Sequence, residues 1–86
     1  MPTISMFFGI LIRMYFNDHP PPHFHARYNE DEAVIAIESL RVLEGSLPKR
    51  ALSLVQEWAG VHKAELAADW ELCQSKQQPL KIDPLE

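Results

Sequence analysis

The chain has 86 residues, of which 47% are hydrophobic and 23% are charged, a balance typical of a folded globular protein and too apolar for a disordered one. Its formal net charge of −4 disfavours RNA or DNA as a partner, because nonspecific nucleic-acid binding depends on Lys and Arg. A single cysteine excludes an internal disulfide, which fits a reducing cytoplasm, and no apolar run reaches the roughly 20 residues that span a membrane.

The first half of the chain predicts four strands. Residues 4–8 and 10–16 are rich in β-branched, aromatic and methionine side chains, and Gly9 between them supplies a bend. A run from Asn17 to Pro22 then breaks the pattern, since proline cannot donate to a β ladder. Two further strands, at residues 23–28 and 33–37, flank a polar turn. We therefore expect a four-stranded, mostly antiparallel sheet within residues 3–38.

The second half predicts helix over residues 47–77. Ser46 is a suitable N-cap, and apolar residues from Ala51 to Trp70 recur at helical spacing. Gly60 interrupts them at a cost of about 1 kcal/mol relative to alanine, so we expect one long helix or a helix kinked there. With an extended tail over residues 79–86, the expected fold is a single two-layer α+β domain over residues 1–86. A homodimer is an open alternative, because about 45 Å of helix outruns a four-stranded sheet.

Alternation along the strands predicts which side chains share each face of the sheet. Successive side chains point to opposite faces. Ile4, Met6 and Phe8 of the first strand are therefore expected to face the helix. The opposite face is expected to carry a polar cluster, with His19 on the loop that leads into it; its other members are Arg13, Tyr15, His23, His25 and Arg27.

This cluster has three interpretations that the sequence leaves open. The first is a metal-independent, ribonuclease-like site, in which histidines exchange protons near neutral pH and arginines stabilise negative charge. Its catalytic residues would be Arg13, Tyr15, His19, His23, His25 and Arg27. The second is a divalent transition-metal site for Zn or Ni, with His23 and His25 as ligands and His19 or Asp18 as the third. The third is a non-enzymatic protein-interaction surface, which like the first needs no cofactor.

Several motifs are spread along the chain: Met1-Pro-Thr-Ile-Ser5, Gly9-Ile-Leu-Ile-Arg-Met-Tyr15, Asp18-His-x-Pro-Pro-His-Phe-His25, Trp58 with His62-x-x-Glu65-Leu66 and Trp70, and Lys81-Ile82-x-Pro84-Leu85. Together they resemble a bacterial family known as domain of unknown function 4160. The resemblance covers nearly the whole chain and points to six functional positions: Arg13, Tyr15, His19, His23, His25 and His62. It implies no known activity, so whether the protein is an enzyme stays open. Members are often encoded beside another small domain, which implies a toxin–antitoxin-type module with a small partner protein encoded nearby.

Overall fold

Five antiparallel strands form one sheet, and their order in the sheet follows the chain. The computed structural model describes residues 2–86, so Met1, where the predicted domain and the first motif begin, lies outside the described residues. This α+β architecture, with an antiparallel sheet, confirms the predicted class. The elements are β1 (Thr3–Phe7), β2 (Ile10–Arg13), β3 (His23–Tyr28), β4 (Asp31–Ala36), β5 (Val42–Gly45), α1 (Lys49–Val61) and α2 (Lys63–Gln74).

The prediction of four strands missed β5, which lies outside the predicted range of residues 3–38. All four β5 residues are exposed, so the segment lacks the alternation of buried and exposed side chains that reveals a strand. The segment is a strand because it pairs with β4: Glu44 lies opposite Val34, and Val42 lies opposite Ile35. Leu43 is the extra residue of a β-bulge between these two pairs.

Two helices replace the predicted single long or Gly60-kinked helix. Gly60 lies inside α1, and the break comes at His62, whose φ of −112° and ψ of 26° are not helical. The His62 side chain pairs with Glu65 in the first turn of α2. The predicted N-cap was also wrong, because Pro48 rather than Ser46 precedes α1. Within residues 2–86, neither helix is long and apolar enough to cross a membrane.

The core lies between one face of the sheet and the two helices. Phe24 of β3 and Trp58 of α1 are fully buried, and their ring centroids are 6.0 Å apart. The C-terminal tail, residues 77–86, has neither helix nor strand and covers one side of this core. Trp58 donates its indole N–H to the Asp83 carbonyl at 2.7 Å, and the Ile82 amide donates to Ile4 at 2.8 Å.

The predicted facing of β1 was wrong beyond its first residues. Phe7 is buried, whereas Met6 and Phe8 are exposed. A register shift between Thr3 and Ser5 moves the alternation by one residue, and a slip of one residue exchanges the two faces of a strand. In β2, β3 and β4 the alternation follows the prediction, so His23 and His25 point away from the core; His23, the first residue of β3, is still reached by Trp70 of α2.

Candidate functional site

The connection between β2 and β3, residues 14–22, is fixed in its middle and at its end. In the middle, Gln74 of α2 donates a side-chain N–H to the Asp18 carbonyl at 2.8 Å. At its end, the Ile37 amide donates to the Pro22 carbonyl at 3.0 Å. The peptide bond between Pro20 and Pro21 is cis. These contacts place the Asp18 carboxylate over the first residues of β3.

Asp18, His23 and His25 each bring one ligand atom to within 4.8 Å of the other two. His23 Nε2 lies 2.8 Å from Asp18 Oδ2, and His25 Nε2 lies 3.7 Å from the same oxygen. The two histidines are separated by one residue in β3, so both rings point to the same face of the sheet. The three groups therefore converge on one point, and we refer to them as the Asp–His–His cluster.

The outer ring nitrogens of both histidines face acceptors outside this cluster. His23 Nδ1 lies 2.7 Å from the Pro21 carbonyl oxygen, and because a carbonyl can only accept, Nδ1 donates. His25 Nδ1 lies 3.2 Å from Oε2 of Glu32, where an ionised carboxylate likewise accepts. Both contacts place the proton of a neutral imidazole on Nδ1. The lone pair of His25 Nε2 then points at Asp18, whereas the 2.8 Å hydrogen bond between His23 Nε2 and Asp18 requires a second N–H on His23.

Aromatic packing restricts rotation of the two imidazole rings. Tyr15 stacks on His25 with ring centroids 4.2 Å apart and an interplanar angle of 15°. Trp70 of α2 packs against His23 with centroids 5.1 Å apart. The His23 and His25 side chains are only 8% and 14% exposed, so little solvent reaches their inner nitrogens.

The inner side of the cluster holds an unsatisfied polar atom beside an ionised one. His25 Nε2 is buried and makes no hydrogen bond to any of residues 2–86. Burial acts to raise the pKa of Asp18, but the His19 amide hydrogen bond, the His23 hydrogen bond and the charges of both histidines outweigh it. The net effect is a pKa below the ordinary 3.8, so Asp18 is a carboxylate at neutral pH.

A family model described as "Domain of unknown function (DUF4160)" matches residues 9–71, which is more than half of the chain. The chain belongs to this family. The match confirms the resemblance over that range and includes the Asp–His–His cluster, although the first and last motifs lie outside it. Neither the curated proteins nor the solved structures gave a match to the chain. The DUF4160 family description names no activity, so function has to be argued from the site itself.

This DUF4160 domain has a cleft of about 390 Å³ beside the cluster, lined among others by Tyr15, His19, His23 and His25. Those are four of the six residues predicted as catalytic. The other two, Arg13 and Arg27, are not among the described residues that line it. Arg13 of β2 lies opposite His25 of β3 in the strand register. Arg27 is exposed and donates its Nε–H to the Asn29 carbonyl. His62, the position added by the family resemblance, packs on Trp58 in the helical layer.

The third member of the cluster is Asp18, and His19 lies on its solvent side. The His19 side chain is 87% exposed, and its Nδ1 is 3.2 Å from Asp18 Oδ1, the oxygen that faces away from His23. Two residues of the DUF4160 site, Glu32 and Glu44, were missed from the sequence. A hairpin register drawn through the turn at residues 29–30 places Glu32 diagonally across from His25, so that signal was present. Glu44 gave none, because it lies in the unrecognised β5.

A second cavity, of about 220 Å³, lies at the start of α1 and has mainly apolar walls, including Phe8, Ile10, Tyr28 and Leu54. Arg50 is the one charged residue among its described lining residues. The described lining of this cavity contains no histidine, cysteine or carboxylate that would bind a transition metal, and Tyr28 is its one side chain able to transfer a proton near neutral pH. The cleft beside the Asp–His–His cluster is the better candidate site in this DUF4160 domain.

Proposed function

We propose that this domain binds a divalent transition-metal ion between Asp18, His23 and His25. The observation that carries the proposal is the buried Nε2 of His25, which has no hydrogen-bond partner in residues 2–86 and faces an ionised carboxylate. A buried polar atom without a partner costs about 1–3 kcal/mol, and a metal ion at this point removes that cost. All three converging groups can also coordinate that ion at the same time.

The hydrogen-bond pattern around His23 supports the same conclusion. Its Nδ1 donates to the Pro21 carbonyl, yet its Nε2 is 2.8 Å from the Asp18 carboxylate, which can only accept. Neutral imidazole has one N–H, so this contact requires either a hydrogen-bonding second N–H on His23 or a cation that is bound by both Nε2 and the carboxylate oxygen. A metal ion satisfies His23, His25 and Asp18 together, whereas a proton on His23 leaves Nε2 of His25 unpaired.

The hydrogen-bond acceptors next to Nδ1 of His23 and His25 are of the kinds found beside metal-bound histidines. Such histidines usually donate their other N–H to a carbonyl or a carboxylate, which fixes the tautomer and the ring orientation. His23 has the Pro21 carbonyl and His25 has the Glu32 carboxylate in this role. The donor set of two imidazoles and one carboxylate suits Zn²⁺, Ni²⁺ and Fe²⁺ better than Mg²⁺ or Ca²⁺, which prefer oxygen ligands. Three protein ligands also leave a coordination position open, as in catalytic rather than structural zinc sites.

The ribonuclease-like interpretation receives less support. It places Arg13 and Arg27 against a bound phosphodiester, but the described residues lining the cleft include neither arginine. They do include the carboxylates of Asp18 and Glu44, which repel phosphate. The toxin–antitoxin-type module, with its small partner protein, stays a prediction from the family resemblance. Co-purification of the protein with the product of a neighbouring gene tests it.

Elemental analysis of untagged protein tests metal binding directly. We expect one zinc or other transition-metal ion per chain, or uptake of one Zn²⁺ equivalent by the chelator-treated protein. At a free Zn²⁺ concentration 100-fold above Kd, binding adds about 2.7 kcal/mol of stability. For a chain of this length that is a rise in Tm of about 10 °C or more.

Two matched histidine variants identify the ligands. His25→Ala is expected to lose stoichiometric Zn²⁺ binding and the rise in Tm, because it removes an inward-facing Nε2. His19→Ala removes an imidazole from the same segment, but on the solvent side, and is expected to bind Zn²⁺ as the wild type does. A metal-free wild type with an unchanged Tm contradicts the proposal. Metal retained by His25→Ala, or lost in His19→Ala, contradicts the ligand set.

A further inference from the structure

The cleft beside the cluster extends across the open face of the sheet toward β5. In the strand register His25 of β3 lies opposite Val34 of β4, and Val34 lies opposite Glu44 of β5. Residues directly opposite each other point to the same face. Two strand spacings of about 4.8 Å separate the backbones of His25 and Glu44, a gap that a glutamate side chain and one water molecule can bridge.

The β-bulge in β5 turns two consecutive residues toward the cleft. In a regular strand Leu43 and Glu44 would point to opposite faces, yet both line the cleft. The register shift between β4 and β5 falls at this position and explains the exception. Bulges commonly re-aim side chains beside active sites. Here the bulge brings a carboxylate to the end of the cleft opposite Asp18.

Glu44 is available for proton transfer. Its side chain is exposed, and within residues 2–86 it accepts no hydrogen bond and forms no ion pair with a basic residue. Glu32, by contrast, is engaged with His25 Nδ1. A free carboxylate in the same cleft as a metal ion can remove a proton from metal-bound water, as in many hydrolases.

The residues that line the cleft indicate which class of substrate bond a hydrolase at this site would cleave. Among the described lining residues, Asp18 and Glu44 are acidic, and no lysine or arginine is present. In the proposed site a divalent ion compensates the charge of Asp18, so Glu44 is the carboxylate that a negatively charged phosphate ester would meet, whereas carboxylic esters and amides are uncharged at the reacting carbon. The remaining walls include Pro20, Val34 and Leu43, which offer apolar contact to the rest of an acyl substrate.

We propose that Glu44 is the general base of a metal-dependent hydrolase that cleaves carboxylic ester or amide bonds in this cleft; the inference rests on the metal site proposed above. Asp18, His23 and His25 would hold the ion, which would supply an acidified water; Glu44 would accept the proton of this water as the water oxygen forms a bond to the carbonyl carbon. The bond from that carbon to the leaving oxygen or nitrogen then breaks, and the proton on Glu44 passes to the leaving group. The products are a carboxylic acid and an alcohol or amine, and no redox partner is needed.

The experiment uses the full-length, Zn²⁺-loaded protein with three chromogenic probes: p-nitrophenyl acetate, acetyl-alanine p-nitroanilide and bis(p-nitrophenyl) phosphate. We expect turnover of the ester or the anilide above that of the metal-free protein, and slower turnover of the phosphate diester. Glu44→Gln is expected to lower kcat/KM by about 100-fold or more, the usual range for loss of a general base. Glu30→Gln, an exposed glutamate in the turn between β3 and β4, is the matched control and is expected to retain full activity.

Zn²⁺ affinity separates failure of this inference from failure of the metal site. Glu44→Gln is expected to bind Zn²⁺ within about threefold of the wild-type affinity, because Glu44 is not a ligand. If the wild type binds no metal, the metal site itself is refuted and the hydrolase with it. If it binds Zn²⁺ but cleaves none of the probes faster than the metal-free protein, only the hydrolase proposal is refuted. Undiminished turnover by Glu44→Gln removes Glu44 as the base, and faster cleavage of the phosphate diester overturns the substrate class.

Discussion

Replacement of Asp69 by asparagine is expected to stabilise the protein near neutral pH. Asp69 lies on α2 with 2% of its surface exposed. Its Oδ1 accepts a hydrogen bond from the Leu80 amide at 2.9 Å, but its buried Oδ2 has no partner among residues 2–86. Burial raises the pKa of Asp69 above the ordinary 3.8, the Leu80 hydrogen bond opposes this, and the charge of Glu65 adds to it. Asparagine retains the oxygen that binds Leu80 and removes the buried charge.

The gain comes from removing the buried charge, because the asparagine NH2 that replaces Oδ2 is itself buried without a partner; it should be about 1 kcal/mol at pH 7. That corresponds to a rise in Tm of about 4–8 °C per kcal/mol for a domain of this size. Because the pKa is raised in the folded state, the folded protein holds its proton more tightly than the unfolded chain does. The wild type therefore loses stability as pH rises from about 3.8 through the folded-state pKa, and the advantage of Asp69→Asn appears over that interval.

Thermal unfolding of both proteins between pH 3 and pH 8 measures this difference. The two melting temperatures should converge at pH 3 and separate toward neutral pH. Asp31→Asn, at the exposed start of β4, is the matched control and should show no such divergence. A variant less stable than the wild type at pH 7, or a gain of equal size at every pH, would refute the assignment of a buried, unpaired carboxylate.

Two further substitutions test the supports of the Asp–His–His cluster. Glu32→Ala removes the hydrogen-bond acceptor at His25 Nδ1 and should weaken Zn²⁺ binding by about 10-fold in calorimetric titration. This is the lower end of the range for residues that support a metal ligand, because the Glu32 side chain is 41% exposed. A Zn²⁺ affinity equal to that of the control variant Glu30→Ala would contradict this role of Glu32. Gly45→Ala places a Cβ against the Glu32 carbonyl oxygen at a φ of 74° and should cost about 3 kcal/mol in urea unfolding. Gly9→Ala has a similar φ of 77° without that collision and should cost about 1–2 kcal/mol, so equal losses would count against the collision.

The histidine face of the sheet could be predicted because it depends on local geometry. His23 and His25 are two residues apart in a strand whose side chains alternate, so the sequence places both rings on one side whatever the rest of the fold does. The same argument failed in β1, where the register shift after Thr3 is set by pairing with β2 rather than by the β1 residues. The alternation of side chains along a strand predicts which face of the sheet each residue occupies only up to the next β-bulge, because the extra residue exchanges the two faces.

The rest of the site depends on contacts between distant parts of the chain. Asp18 reaches the histidines because its carbonyl is held by Gln74, 56 residues away, and no local pattern shows that contact. Glu44 enters the cleft because an exposed strand pairs with β4 and carries a bulge. The sequence therefore supplied the two histidines with their orientation and Asp18 as one of two candidate third ligands, while the choice of Asp18 over His19 and the position of Glu44 required the tertiary structure.

The hydrogen bond from Gln74 to the Asp18 carbonyl connects the C-terminal helix to the proposed metal site. Gln74 holds the Asp18 backbone, and Trp70, one turn earlier in α2, packs against His23. If an ion binds Asp18 and His23 in this geometry, any change in the position of α2 would alter its affinity, and by thermodynamic reciprocity the ion would alter the position of α2 by the same coupling free energy. Metal binding and the packing of α2 would then be measurable through each other.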